Sequence, residues 1–273
     1  MMSAKWDYDR LPQEIQTKIA ESIACDFNEN SNDGRTMVFP KRTFYTLFFK
    51  RFLDIIISFI ALVVLFPANL IIGVVTFFDV GFPLLFGQDR MGKGAKVFKL
   101  YKFRNMTNER DENGLLLPAD KRVTRWGSFV RKTSLDELLN FWSIFRGDMS
   151  LIGPRPLPVV YRGRFSKYHE SRHNVRPGLD CPLHDPQMGY MTWQNRLDND
   201  VWYVENLSLK TDCKMVFLLF KETLFGAEKK SRGNGGSEGT FMGYDQNGKV
   251  MNSYEIPEKY FIEVLGDHDN VNE

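Results

Sequence analysis

Two adjacent carboxylates, Asp136 and Glu137, stand at the start of an apolar helical pattern in the segment Thr133–Pro156, TSLDELLNFWSIFRGDMSLIGPRP. A Gly-Asp turn and a Pro-Arg-Pro element follow. Arg131 and Lys132 precede the pair, and Arg155 lies between two prolines that fix its backbone. An acid pair among fixed cations suits the handling of a phosphate ester and a metal ion. A helix N-terminus offers free N–H groups to phosphate. A carboxylate held there can attack phosphorus and form an acyl phosphate. A hard cation such as Mg2+ would bind through one carboxylate and substrate phosphate oxygens. The same residues also fit a structural role. Ser134-Leu135-Asp136-Glu137 matches a capping box, with Ser134 capping the helix and Glu137 reaching back to it. Acidic groups in a first turn also complement the helix dipole.

The helix carrying the pair is amphipathic. Leu135, Leu138, Leu139, Trp142 and Phe145 fall on one face, and Phe141 and Ile144 widen it until it is nearly two-sided. Such a helix suits a place between protein and lipid. Lipid is also indicated upstream, where Phe52 to Phe78 runs for about 27 residues with one charge, Asp54. Crossing the hydrocarbon core takes ~20 residues. The run starts too far from Met1 for a secretory signal, and no small-residue cleavage site follows. Pro67, near the middle, predicts a kink, because proline lacks a donor and clashes with the carbonyl four residues back. Asn69 or Ser58 is placed to satisfy the backbone freed there.

The flanks decide between two topologies. Lys41, Arg42, Lys50 and Arg51 precede the run, and Arg90, Lys93, Lys96, Lys99, Lys102 and Arg104 follow it. A simple span carries its basic excess on one side. Basic groups on both sides favour a helix that enters, bends at Pro67 and leaves through the same leaflet, over an ordinary kinked transmembrane helix; the run's length argues against a third option, a buried soluble core helix.

Composition restricts the rest. The 273 residues hold one large domain or two small ones. A formal net charge of +2 gives no case for a nucleic-acid partner. Cys25, Cys181 and Cys213 are scattered, odd in number and without a CxxC pair. That indicates neither a disulfide framework nor a zinc site, and fits inert thiols in a reducing compartment.

Residues 1–40 read as a soluble N-terminal extension. A short amphipathic helix runs from Leu11-Pro12-Gln13-Glu14 to about Cys25, and Asn28–Gly34 is a turn-rich linker. Residues 41–80 are the membrane segment, opened by the aromatic stretch Thr43–Phe49. Residues 81–225 read as the domain that carries the candidate chemistry. Within it Phe82–Arg104 reads as a hairpin turning at Met91–Gly94, with Lys102 and Arg104 on one strand face. Asn108–Lys121 reads as a mobile polar loop, and Met215–Phe225 as an interface or core helix. Residues 226–273, Gly-rich and charged at their start, read as a flexible C-terminal tail. The fold class is α/β, mostly α: a re-entrant helix-break-helix, plus a compact cytoplasmic catalytic domain with amphipathic interface helices and a small β-hairpin.

Several motifs occur in order: Lys50-Arg51-Phe52-Leu53-Asp54, the central Pro67, Gln88-Asp89-Arg90-Met91-Gly92, Phe98–Met106, Thr124-Arg125-Trp126-Gly127, Arg131–Leu138 and Gly147–Pro156. From about Lys50 to Phe225 the chain resembles the bacterial sugar transferase family, the monotopic polyprenyl-phosphate phosphoglycosyl transferases, in a short form. The resemblance implies a re-entrant helix with both ends cytoplasmic, anchored through Lys50, Arg51 and Pro67 at the bacterial inner membrane. It implies transfer of a sugar 1-phosphate from a nucleotide diphosphate sugar, usually UDP-linked, to undecaprenyl phosphate, releasing the nucleoside monophosphate. Asp136 would then be the nucleophile and a ligand of Mg2+. Glu137 would assist proton handling or position the lipid phosphate. Lys102, Arg104, Arg131, Arg155 and Arg176 would hold phosphates. The partners implied are undecaprenyl phosphate, the sugar nucleotide and inner-membrane lipid, with a homodimer left open.

The chain departs from the family pattern at Leu139 and Asn140, where Pro and Gln are frequent, and at Leu179–His184, a region placed to shape the sugar or nucleotide pocket. Two other functional readings stay open. A non-catalytic membrane scaffold of a glycan assembly complex would turn over no sugar nucleotide. A peripheral glycosyltransferase would release the nucleoside diphosphate instead of the monophosphate.

Overall fold

In the computed structural model, which describes residues 7–27, 34–112, 114, 116–188, 191–225 and 239–266, helix α1 spans Gln13–Phe27. Helix α2 spans Lys50–Val80, 31 residues, and is entered through a π-helical turn at Tyr45–Phe49. The expected break at Pro67 is not an interruption, because the helix continues through it. The groups expected to satisfy the freed backbone do not reach it. Ser58 Oγ donates instead to the Asp54 carbonyl at 2.5 Å, since a helical hydroxyl finds the carbonyl one turn back first. Asn69 Oδ1 is buried and has no partner among the described residues.

Both ends of α2 are tied to the rest of the protein by polar contacts. At its start, Arg51 donates to the carbonyls of Ile144 and Phe145 at 2.6 and 2.8 Å, and Lys50 pairs with Asp212 at 2.6 Å. Asp54, the one charge of the apolar run, is 2% exposed. Its Oδ1 accepts from Ser150 Oγ and the Leu151 N–H, each at 3.0 Å. At the far end, Thr124 Oγ1 donates to Asp79 at 2.6 Å and Trp126 Nε1 to Thr76 Oγ1 at 3.1 Å. The middle of the helix leaves large apolar side chains exposed, Val63, Val64, Phe66 and Ile71 among them.

Strands β1 (Leu85–Met91) and β2 (Val97–Phe103) form the expected antiparallel hairpin, paired from Leu85↔Phe103 to Met91↔Val97. Alternation along β2 puts Phe98, Leu100 and Lys102 on one face. The segment expected as a mobile loop is pinned by the bridges Arg110↔Leu116 and Met106↔Val123; Asn113 lies outside the described residues. Short helices α3 (Ala119–Arg122) and α4 (Arg125–Lys132) lead to the dyad, and α5 (Asn140–Arg146) follows it. Strands β3 (Ser150–Ile152) and β4 (Gly178–Asp180) pair in parallel. Their approach is close enough that a Cβ at Gly178 would sit 2.1 Å from the Gly153 nitrogen. Helices α6 (Trp193–Glu205) and α7 (Leu209–Phe225) complete the central region. Met215 of α7 is buried, but Phe217 stands 68% exposed, so α7 is core on one side and bare apolar surface on the other.

The tail does not stay unfolded. Strands β5 (Phe241–Tyr244) and β6 (Val250–Asn252) form a hairpin, and helix α8 spans Glu258–Leu265. Met242, Met251, Tyr260 and Phe261 pack with Ile19 and Ile23 of α1 into one apolar cluster. The soluble extension and most of the tail are therefore one unit; residues 226–238 lie outside the described residues. The physical reason is a hairpin signal hidden behind the Gly-rich stretch. Apolar Phe241–Tyr244 and Val250–Met251 flank Asp245–Lys249, which contains Asn-Gly. Phe241 also packs with Trp193, Phe165 and Tyr244, joining this unit to the central region. Replacing Phe241 by Ala is expected to lower stability by about 3–5 kcal/mol, read as a fall in thermal midpoint in detergent. A midpoint unchanged within error would mean that the hairpin is not part of the folding unit.

Candidate active site

Asp136 and Glu137 lie in a 3-10 turn, Leu135–Glu137, rather than in the first turn of an α-helix. The capping box does not form. Ser134 adopts a left-handed backbone (φ 57) and makes no side-chain cap. Glu137 has stronger partners than the turn behind it: Lys102 Nζ donates to its Oε1 at 3.1 Å, and Arg155 Nη2 donates to the same oxygen. Charged hydrogen bonds outweigh a neutral cap. The anticipated apolar face of the helix is also rotated. Asn140, Ser143 and Ile144 are buried, whereas Trp142 is 50% exposed. Ile144 packs on Phe98 and Leu100 of β2, while Phe145 meets Phe59 of α2.

Helix α5 is held at its C-terminal end. Gly147 (φ 103) closes it, its N–H donating to the Ser143 and Ile144 carbonyls at 3.1 Å. Glycine is the residue that adopts this conformation freely, and a Cβ there would lie 3.1 Å from Arg51 Nη2. Arg51 places its positive charge on the last carbonyls of α5, the end where a helix favours cations.

Arg155 reaches Glu137 because its backbone is gripped on both sides. Arg172 Nη2 donates to the Arg155 carbonyl at 2.7 Å, and Arg90 Nη1 to the Pro156 carbonyl at 2.9 Å. Arg172 is itself buried against Asp200 at 2.9 Å. Burial, with the Arg155 charge beside it, pushes the Arg90 guanidinium down to about 10. Arg155 also donates to the Leu179 carbonyl at 3.2 Å.

Of the anticipated phosphate-binding cations, Lys102 and Arg155 meet the dyad directly. Arg131, at the end of α4, is close enough for its charge to act on Asp136. Arg104 is directed elsewhere: its Nη2 donates to the Val80 carbonyl at the end of α2. Arg176 donates from Nε to the Gly147 carbonyl at 2.9 Å, at the opposite end of α5 from the dyad. Arg90, Arg172 and Asp54, which hold the elements around the dyad, escaped the sequence reading as site residues. A lone charge inside an apolar run was the available signal for Asp54; the others carried none.

The two carboxylates are in unequal states. Burial pushes the Asp136 carboxyl up; Lys102, 3.8 Å away, offsets this only in part, and Glu137 adds to the rise. Burial would raise Glu137 as well, but Arg155 and Lys102 outweigh it and hold its carboxyl below the usual range. Glu137 is thus committed as an anion, and Asp136 is the more loosely held and more basic group. Among the described residues no group of three or more His, Cys, Asp or Glu is arranged to hold a metal. A metal here would take one protein carboxylate and complete its shell from water and substrate oxygens, which suits Mg2+.

Proton linkage gives opposite signs for the two acids. A lowered pKa adds stability above the unfolded value, and that stability is lost as pH falls through the folded one. Glu137→Gln is therefore expected to cost roughly 1–3 kcal/mol near pH 7. The difference from wild type should shrink as the pH falls below the ordinary glutamate range. Asp136→Asn, which removes a group with a raised pKa, should leave stability at pH 7 equal or higher. Thermal midpoints of the three proteins across pH test this; a Glu137→Gln penalty that does not vary with pH would contradict it.

The sequence profile described as Bacterial sugar transferase matches residues 45–226. An uncharacterized sugar transferase, EpsL, of Bacillus subtilis is 40% identical over 145 residues, 53% of this chain and 72% of the relative. The UDP-N-acetylgalactosamine-undecaprenyl-phosphate N-acetylgalactosaminephosphotransferase of Aeromonas hydrophila is 34% identical over 187 residues, 66% of this chain and 44% of the relative. The UDP-glucose:undecaprenyl-phosphate glucose-1-phosphate transferase of Klebsiella pneumoniae is 33% identical over 180 residues, 62% of this chain and 39% of the relative. The chain thus spans less than half the length of the latter two.

Proposed function

The chain belongs to the bacterial sugar transferase family, and we propose that it moves a sugar 1-phosphate from a UDP-sugar to undecaprenyl phosphate through a covalent intermediate on Asp136. The unequal state of the two carboxylates carries this reading. Asp136 is buried and its pKa is raised, with only a 3.8 Å contact to Lys102. Glu137 is spent on Lys102 and Arg155. A nucleophile must not be saturated by cations, and of the two acids Asp136 is the less committed. The names of relatives from Aeromonas hydrophila and Klebsiella pneumoniae supply the substrate classes.

In the first step an Asp136 carboxylate oxygen bonds to the sugar-bearing phosphorus of the donor. The bond from that phosphorus to the bridging oxygen breaks, and the nucleoside monophosphate leaves with the electron pair. In the second step an oxygen of the lipid phosphate attacks the same phosphorus, and the bond to Asp136 breaks, restoring the carboxylate. Arg155 and Lys102, fixed by Glu137, face the phosphoryl oxygens. Glu137, with its lowered pKa, is a poor proton carrier, and its part is to position those cations. Mg2+ held by Asp136 and phosphate oxygens would offset charge on the diphosphate.

The re-entrant arrangement at the cytoplasmic face of the inner membrane belongs to the same proposal. Contacts from both ends of α2 to one domain support it, since a straight span would carry its ends to opposite sides. The exposed Phe217 and Phe220 of α7, Trp142 of α5 and Phe129 of α4 add apolar surface suited to the lipid interface.

Two experiments test these claims. Purified protein incubated with a UDP-sugar and Mg2+, without lipid acceptor, should gain the mass of one sugar phosphate. Asp136→Asn should gain none and release no UMP when undecaprenyl phosphate is added; wild-type turnover by this variant would remove Asp136 as nucleophile. For topology, single cysteines placed before Lys50 and after Asp79 should both be labelled from the cytoplasm alone. Labelling from opposite faces would establish a spanning helix instead.

A further inference from the structure

Asn140 is 4% exposed, yet its Oδ1 is buried without a hydrogen-bond partner, and its side chain makes no hydrogen bond among the described residues. A buried amide carbonyl in this state bears its desolvation cost with nothing in return. Its position is particular. The stretch Ser134–Trp142 is closed by i→i+3 bonds: Glu137 to Ser134, Leu138 to Leu135, Phe141 to Leu138 and Trp142 to Leu139. Residues three apart eclipse one another in such a turn. Asn140 follows Glu137 by three residues, about one turn of this kind, and opens α5.

Strand β2 runs past both this turn and α5. Its buried face meets Ile144 through Phe98 and Leu100, and meets Glu137 and Asp136 through Lys102. Asn140 falls between those two contact points. An apolar residue there would extend the cluster around Ile144. A carboxamide is found instead, close in sequence to the dyad and without a hydrogen bond among the described residues.

We propose that Asn140 contacts the reactants, its carboxamide oxygen accepting a hydrogen bond from an O–H group. Two sources share this chemistry: a hydroxyl of the transferred sugar, and a water molecule bound to the divalent cation. Phosphoryl oxygens, which carry no donor hydrogen when ionised, do not meet the need. The proposal rests on the reaction given above, and it adds a residue that contacts the reactants.

The test compares the full-length wild type with Asn140→Leu and Asn140→Ala in detergent; leucine keeps nearly the shape of asparagine. Three quantities are measured: the thermal midpoint without substrate, Mn2+ affinity by electron paramagnetic resonance, and kcat and KM for the best UDP-sugar donor and its monodeoxy analogues. Asn140→Leu should melt at or above the wild-type midpoint, because no protein hydrogen bond is lost. Its kcat/KM should fall roughly tenfold or more, and Asn140→Ala should show the same kinetic loss. Weaker Mn2+ binding in the variants identifies metal-bound water as the donor. Unchanged Mn2+ binding, with one deoxy analogue used equally by wild type and variant, identifies a sugar hydroxyl. Wild-type kcat/KM in Asn140→Leu overturns the proposal. So does a midpoint several degrees lower, which would give the amide a structural partner. If the wild type itself releases no UMP from any donor, the proposed reaction has failed, and the midpoint and Mn2+ comparisons alone then decide whether Asn140 is a ligand group.

Discussion

The site depends on one shared anion. A single oxygen of Glu137 receives both Lys102 from the hairpin and Arg155 from the Pro-Arg-Pro element. Three stretches distant in sequence converge there. Without the carboxylate, two cations would face each other in a partly dry space, where like charges repel strongly. With it, both can point the same way at an incoming phosphate. The neighbouring Asp136 inherits its character from this arrangement. Lys102 is divided between the two acids and stands nearer to Glu137, so Asp136 keeps a raised pKa and an uncommitted oxygen. Neighbouring acids with divergent proton affinities mark a division of roles in catalytic sites.

The membrane helix takes part in this geometry rather than merely anchoring it. Asp54 binds the first residues of β3, whose strand runs directly into Gly153-Pro154-Arg155-Pro156. Arg51 binds the last carbonyls of α5, whose other end follows the dyad. Each polar residue at the start of α2 thus fixes one side of the site. Burying Asp54 costs free energy unless its hydrogen bonds are complete, and that requirement sets the rotation and depth of α2 against the domain.

The fold was legible where one signal spoke alone. The apolar run, the β1–β2 hairpin and α1 follow from periodicity, turn residues and Pro12. Residue type and spacing also singled out Asp136, Glu137 and Arg155, which the fold brings together. Misreadings arose where two local rules competed. Ser134 and Glu137 satisfy the capping pattern, but tertiary cations offered Glu137 stronger bonds than the turn did. The Gly-rich composition after residue 226 masked the Asn-Gly hairpin beyond it. Arg104 and Arg176 look equivalent to Arg155 as sequence, and only packing shows that they serve backbone carbonyls elsewhere. Arg90 and Arg172 act on carbonyls of the Pro-Arg-Pro element, a role that no side-chain pattern announces.

The family match ends at residue 226, but the packing does not respect that boundary. Trp193 of α6 donates to the Gly239 carbonyl at 3.0 Å and packs on Phe241. Gln194 accepts from the Val250 N–H at 3.0 Å. The first turn of α6 is therefore held by the C-terminal hairpin, which α1 covers in turn. Farther along the same helix, Asp200 fixes Arg172, and Arg172 fixes the carbonyl of Arg155. A chain of contacts thus runs from the hairpin through α6 to the cation at the dyad. Close-packed interiors transmit displacement through such contacts. The added unit is accordingly part of what sets the position of Arg155, although none of its described residues bonds to Glu137.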